Sequence, residues 1–497
     1  MSIKSFFGKI LAKRDVSQTK KWSAKPVETQ RKVMLQLLNT AAHTAFGKDH
    51  GFSKINNYED FKNQVPVRDY EGLKPYIERV KNGEKDVLWK GGPMYFAKTS
   101  GTTSGAKFIP LTKESLAHQI KAAKSALLHY IVDSGNHHFI NGKMIFLQGS
   151  PELDMNPKVP NGRLSGIVAN FVPSYLQTNR LPSYKTNCIE DWEQKIEAII
   201  EETLPEDMRL ISGIPSWAQM YFERLQAKTG KTISEIFPNF SLFVFGGVNY
   251  EPYRKKFEEM IGKKVDSLEL YPASEGFIAF QDRQDEKGLL LLLDYGIFYE
   301  FIPADEFNDE TPTRISLEEV KMGINYVLIL NTNAGLWGYN IGDTVAFTSL
   351  KPYRIIVTGR IKHFTSAFGE HVIAKEVEEA IRLAMQQSTE VELSEFTVAP
   401  QTEPTEGLPY HEWLIEFATE AKDMGLFAKL VDDNLKAQNS YYKDLVEGKV
   451  LRQLQITSLP KSSFHNYMKS QGKLGGQNKI PRLANDRKIA DFLAKSL

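Results

Sequence analysis

The chain has 497 residues, and its 62 Lys and Arg against 61 Asp and Glu leave a formal charge of +1, so no overall field draws it to nucleic acid or anionic lipid. Hydrophobic residues at 41% and charged residues at 25% give a globular composition, with length for roughly two to four domains or subdomains. The longest aliphatic run, residues 289–293, is far short of a bilayer span, which excludes stable membrane insertion; the single cysteine, Cys188, leaves no intrachain disulfide and fits a reducing, cytoplasmic setting.

In chain order, the start "MSIKSFFGKILAKRD" spreads lysines among its apolar residues. It predicts a docked surface helix rather than a secretory signal, with an amphipathic membrane-surface or transit helix as the alternative. The first third reads as mostly helical, including "KESLAHQIKAAKSALLHYIV" with Thr112 placed to cap it. Just before that helix, "AKTSGTTSGAKFIPLT" sets seven consecutive Ser, Thr or Gly at 99–105 beside Lys107 and a short apolar strand. The adjacent His137 and His138 would diverge on a strand and lie about 100° apart on a helix, so no zinc site is expected there.

The middle mixes helices with the strands "KMIFLQ", "SLFVFGG", "VDSLELY", "GLLLLLDYGIFYEFIP" and "NYVLILNT", which predicts an α/β core with helix-covered sheets. Trp217 and Tyr221, at helical spacing, read as core or pocket wall. The pattern changes near "YRIIVTGRIKHFTSAFGEHV". A helix over about 375–387, strands "EFTVAP" and "EWLIEF", a helix over about 426–437, a strand "LRQLQITSLP" and terminal helices follow, a unit of about 130 residues able to fold separately. The expected domains are therefore 1–362 and 363–497. The tail "KSQGKLGGQNKIPRLANDRK" carries six Lys or Arg against one Asp and reads as a solvated face rather than a polyanion site.

Three segments carry chemistry. Consecutive Gly, Ser and Thr at 99–105 let backbone N–H groups converge on one anion, with Lys107 adding charge; a surface loop is the alternative. In "LELYPASEGFIAF" a strand ends at Tyr271 and residues 272–275 form a turn at its carboxyl end, the favoured ligand side of an α/β sheet. There Tyr271 could stack on a base and Glu275 could hold a metal, or the stretch could be an ordinary surface turn. In "NAGLWGYNIGDTVAF" Asp343 sits in a turn between apolar runs, to accept from ribose hydroxyls or to close an Asx turn. Arg360 can donate bidentately to hydroxyls or phosphate, or form a surface ion pair.

Taken in order, "TSGTTSGAK", "YPASE", "YNIGD" and "GGQNKIPRL" resemble the motifs of the adenylate-forming ANL superfamily, and most closely its acyl-acid amido synthetase branch, the GH3 auxin-responsive family. The resemblance extends over about residues 20–490. Asn340 stands where plant members have Arg, Thr99 where the signature has Ser, and Pro272 and Ala273 at variable positions, departures that point to a distant, bacterial-type branch. The resemblance implies a large α/β N-terminal adenylation domain of packed sheets and helices, with a small mobile C-terminal α+β domain. It implies ATP-dependent adenylation of a small-molecule carboxylic acid with Mg²⁺, then acyl transfer to an amine, an amino acid by family habit, releasing AMP and pyrophosphate. By the same resemblance Ser100, Thr102 and Thr103 hold the β/γ phosphates, Gly247, Val248 and Tyr271 flank adenine, and Ser274 lies beside it. Glu275 binds Mg²⁺, Asp343 the ribose hydroxyls and Arg360 the ribose or α-phosphate side; Lys479 neutralises charge at the α-phosphate or carboxylate. Lys479, Arg360 and Glu275 are then the catalytic group. The competing readings are an acyl-CoA synthetase-like ligase with a thiol acceptor and a non-catalytic nucleotide-binding protein.

Overall fold

Alternating strand and helix patterns in the middle of the chain build one side of a long sheet. A computed structural model describes residues 3–99, 107–155, 158–171, 178–189, 191–247, 250–307, 309–361, 364–365, 372–402, 404–447, 450–474, 479–484 and 486–495. They form two compact units: Met1–Tyr250 with Phe257–Ile356, and Glu251–Lys256 with Val357–Leu497.

In the first unit, strands Arg180–Leu181, Lys143–Phe146, Met208–Ser212, Leu242–Gly246 and Asp266–Ala273 lie side by side and parallel. Helices Trp192–Thr203, Pro215–Thr229 and Glu251–Ile261 supply the crossovers that parallel pairing demands. From Asp266–Ala273 onward the sheet turns antiparallel, through Gly276–Phe280, Leu289–Leu291, Tyr353–Arg360, Tyr339–Leu350, Asn325–Thr332, Ile297–Pro303 and Ile315–Ser316. The run "GLLLLLDYGIFYEFIP" is thus two strands, broken by a turn in which Gly296 takes φ +73°.

Helix Lys113–Ser134 lies against this sheet, over Gly276–Phe280. Thr112 and Ser115 close its start with a reciprocal capping box at 3.1 and 2.9 Å, and Gly135 at φ +73° ends it. Leu116, Ala122, Ala126 and Tyr130 are buried along it. A separate hairpin, Tyr95–Thr99 with Lys107–Leu111, closes on the pair Thr99 and Lys107, so the Ser/Thr/Gly stretch connects its two strands. Pro110 is tolerated because Lys107–Leu111 is an edge strand.

The second unit carries a three-stranded sheet, Glu392–Gln401, Tyr410–Thr419 and Gln455–Leu459. Helix Ala374–Gln387 buries Val377, Ala380, Ile381 and Ala384, an i, i+3, i+4, i+7 stripe that joins Phe396, Val398 and Trp413 in the core. Of the stretch "LRQLQITSLP" only Gln455–Leu459 is strand. The architecture is mixed α/β, with a larger first unit and a smaller α+β second unit.

Candidate active site

The carboxyl ends of the parallel strands gather most of the described site residues. Gly246 ends its strand beside Leu270, where a Cβ would meet the Leu270 carbonyl oxygen at 2.5 Å, so only glycine permits this approach. Gly247 follows at φ +76°. On the neighbouring strand Tyr271 is 7% exposed. The strand does not stop there: Pro272 and Ala273 still pair, with Phe277 and Gly276, and only Ser274 and Glu275 form the turn. The register shifts between Tyr271 and Pro272, and at such a bulge the missing proline N–H does little harm. The Ala273 carbonyl accepts from Gln119 Nε2 at 2.7 Å, tying the strand end to helix Lys113–Ser134.

Asp343 is likewise not in a turn but within strand Tyr339–Leu350. The Asx turn belongs to Asn340, whose Oδ1 accepts from the Gly342 N–H at 2.8 Å, with Gly342 at φ +88°. Local sequence hides this, because the kink lies inside a strand whose pairing is non-local. Asp343 Oδ2 instead accepts from the Tyr271 hydroxyl at 2.6 Å. Their strands are four places apart in the sheet, about 19 Å if it were flat. The antiparallel half therefore rolls over and brings the second and third motifs together.

Glu275 is half-buried. Tyr339, 1% exposed, hydrogen-bonds it; burial first, then the Glu275 charge and that bond, push the phenol well above its ordinary range, so Tyr339 is a donor that stays protonated. Among the described residues no group of three or more His, Cys, Asp or Glu could hold a metal ion. A single oriented carboxylate is nevertheless a fitting donor for Mg²⁺, which keeps waters and takes substrate phosphate oxygens.

Other residues fall elsewhere. Ser274 is half-buried in the turn. Lys107 lies over the Tyr70 ring, its Nζ 5.8 Å from the centroid. Ser100, Thr102, Thr103 and Val248 lie outside the described residues, as does the side chain of Arg360, whose backbone ends strand Tyr353–Arg360. Lys479 is exposed on the second unit. The His137 and His138 rings stack at 4.6 Å instead of diverging, but they are not part of any such metal group. Trp217 and Tyr221 are buried at 6% and 0% exposure, as core. Tyr339 and Gln119 were not among the expected site residues. Tyr339 opens the quoted "YNIGD" and could have been found there; Gln119 sits in a helix whose pattern signals only packing.

Comparisons with known proteins agree with this arrangement. The GH3 family N-terminal domain matches residues 15–171 and 154–265, the central domain 290–360 and the C-terminal domain 375–488. The chain is 21% identical to indole-3-acetic acid-amido synthetase GH3.3 of Arabidopsis thaliana, over 93% of this chain and 90% of that protein. It is 22% identical to jasmonoyl–L-amino acid synthetase JAR4 of Nicotiana attenuata, over 64% of this chain and 66% of that enzyme. These relatives are plant proteins and lend no support to a bacterial-type branch. Among solved structures, AtGH3.15 acyl acid amido synthetase in complex with 2,4-DB superposes with a TM-score of 0.81 at 17% identity, covering 98% of this chain and 96% of that one. A 2-hydroxyisobutyryl-CoA ligase in its postadenylation state gives 0.61 at 14% identity, over 94% and 90%. The three domain matches run in order along nearly the whole chain, and with them the chain belongs to the GH3 family.

Proposed function

We propose that this chain is an acyl-acid amido synthetase, a ligase that makes a carbon–nitrogen bond through an acyl-adenylate. The observation that carries the reading is the 2.6 Å bond from Tyr271 to Asp343, which unites two family motifs at the ligand side of the sheet. In the first half-reaction a carboxylate oxygen of the acid attacks the α-phosphorus of ATP and the bond to pyrophosphate breaks. In the second, an amine nitrogen attacks the acyl carbon, AMP leaves, and the nitrogen gives up a proton.

Each residue has a part that its chemistry supports. The Tyr271 hydroxyl fixes the Asp343 carboxylate, so that ribose hydroxyls donate to an already oriented acceptor. The Tyr271 ring and the backbone at Gly247 and Val248 flank adenine, with Ser274 beside it. Ser100, Thr102 and Thr103 donate to the β/γ phosphates as charge moves onto the leaving pyrophosphate. Tyr339 donates to the Glu275 side chain and holds it in place. Mg²⁺, when held by Glu275, offsets phosphate charge. Arg360 serves the ribose or α-phosphate side, and Lys479 reaches the α-phosphate or the carboxylate.

The partners are then ATP, a small carboxylic acid and an amino acid. The single cysteine supports a cytoplasmic setting; among the described residues no helix is long and apolar enough to cross a membrane. The likeness to a CoA ligase leaves the fold neutral on the acceptor, so a thiol acceptor is the alternative. Carboxylate-dependent ATP–pyrophosphate exchange, screened over aryl, indolyl and aliphatic acids, tests the first half. Exchange with at least one acid class is expected; none with any acid, in folded protein, would leave a nucleotide-binding protein.

A further inference from the structure

We infer that Arg482 is the positioning residue for Lys479, holding the loop that presents the lysine on the second unit; the inference rests on the amido synthetase reading for the role of Lys479. Arg482 comes three residues after Lys479, and its side chain is 9% exposed. Its Nη1 pairs with Glu395 Oε1 and donates to the Phe396 carbonyl at 3.1 Å. Nε lies 3.4 Å from Glu378 Oε1, and Nη2 donates to the Tyr253 hydroxyl at 3.1 Å. The guanidinium also lies over the Phe396 ring, 4.6 Å from its centroid. Glu395, Phe396 and Glu378 belong to the sheet and first helix of this unit, and Tyr253 to the segment Glu251–Lys256 that groups with it.

The backbone follows the side chain. The Val398 N–H donates to the Arg482 carbonyl and the Ala484 N–H to the Val398 carbonyl, both at 2.9 Å, so Leu483 forms a parallel bridge with Val398 of strand Glu392–Gln401. Thr397 Oγ1 donates to the Pro481 carbonyl at 2.6 Å. Lys479 is thus exposed but leaves from a segment fixed by three hydrogen bonds to strand Glu392–Gln401 and by a buried cation. Pro481 stiffens the connection between them. A guanidinium suits this place because its planar fork reaches two carboxylates, a hydroxyl and a carbonyl at once, which an ammonium cannot. A lysine placed to meet charge developing on phosphate needs such support, since a displacement of about 1 Å can cost on the order of 100-fold in rate.

The test uses the full chain. Arg482→Lys keeps a positive charge between Glu378 and Glu395, and Thr397→Val removes only the bond to Pro481. Hydrogen exchange read at the Val398 and Ala484 amides is expected to speed up at least about 10-fold in Arg482→Lys, and protection unchanged from wild type would overturn the anchor whether or not the protein has activity. ATP–pyrophosphate exchange is expected to fall about 100-fold in Arg482→Lys, and by less in Thr397→Val. Conversion of a supplied acyl-adenylate to amide should change less than about 3-fold. In a Lys479→Ala background, Arg482→Lys should add less than a 2-fold further loss, because it acts through the lysine. Multiplying losses in the double variant, or equal losses in both half-reactions, would make Arg482 a general structural residue. Absence of exchange in the wild type would instead sink the amido synthetase reading, while the amide protection still decides the anchor.

Discussion

Tyr271 and Asp343 lie 72 residues apart and meet through one hydrogen bond. Removing the carboxylate takes away the partner of a buried phenol and, on the proposed role, the acceptor for ribose. Asp343→Ala should therefore weaken ATP binding by about 1.5–3 kcal/mol, the range for a charged hydrogen-bond partner. Tyr271→Phe keeps the ring and loses only the donor, so it should weaken ATP by about 1 kcal/mol. Calorimetric titration with ATP reads both, and an Asp343→Ala protein that binds ATP like wild type would remove the ribose role. For Glu275 the corresponding change is Tyr339→Phe. It should raise the Mg²⁺ concentration for half-maximal exchange several-fold and also weaken Mg²⁺–ATP binding measured without the acid; an unchanged Mg²⁺ dependence would separate Tyr339 from the metal. At this scale the types of residue were legible and their partners were not. Tyr271, Glu275 and Asp343 stood out by their place in motifs, whereas the Asx turn expected as the alternative for Asp343 belongs to Asn340.

Elements with a strong local pattern could be read directly. Helix Lys113–Ser134 announces itself by its cap and its period, and the buried stripe of Ala374–Gln387 by its spacing. The strand status of Pro272, Ala273 and Asp343 could not, because it depends on a bulge and on partners distant in sequence. The Ser/Thr/Gly stretch lies between two paired strands, which meet at Thr99 and Lys107. Replacing Thr102 and Thr103 together with Val keeps volume and removes two donors; acyl-adenylate formation should fall by about 100-fold or more, with thermal stability changing far less. Full exchange activity with a collapsed melting temperature would make the stretch structural. Helix Trp192–Thr203 offers a test by pH. Burial pushes the Lys195 ammonium down to about 8, although it donates to the Asn187 and Gln148 carbonyls. The unfolded lysine, near 10.5, binds its proton more tightly, so stability should rise with pH between about 8 and 10.5. Urea unfolding at pH 8, 9 and 10 should show a steeper rise in wild type than in Lys195→Met, and parallel curves would mean that the lysine titrates normally.

At the scale of the whole molecule, the order of four short motifs was enough to expect an adenylate-forming fold, and the three family domains follow the same order. The grouping of Glu251–Lys256 with the second unit was invisible, since those residues read simply as the start of a helix. So was the burial of Arg482, which looks in sequence like one more cation in a basic tail. If Lys479 serves adenylation alone, Lys479→Ala should lose exchange by about 100- to 1000-fold yet convert a supplied acyl-adenylate to amide with much smaller loss. Equal loss in both would mean that the lysine acts through general structure. Transfer of an activated acid to nitrogen with release of AMP can be followed by incubating the wild-type chain with ATP, Mg²⁺, an acid that supports exchange and a mixture of amino acids, with CoA in a parallel reaction, and identifying products by mass spectrometry. One AMP for each acyl–amino acid amide and no thioester is expected; a CoA thioester without amide, or ADP in place of AMP, would rule the amido synthetase activity out.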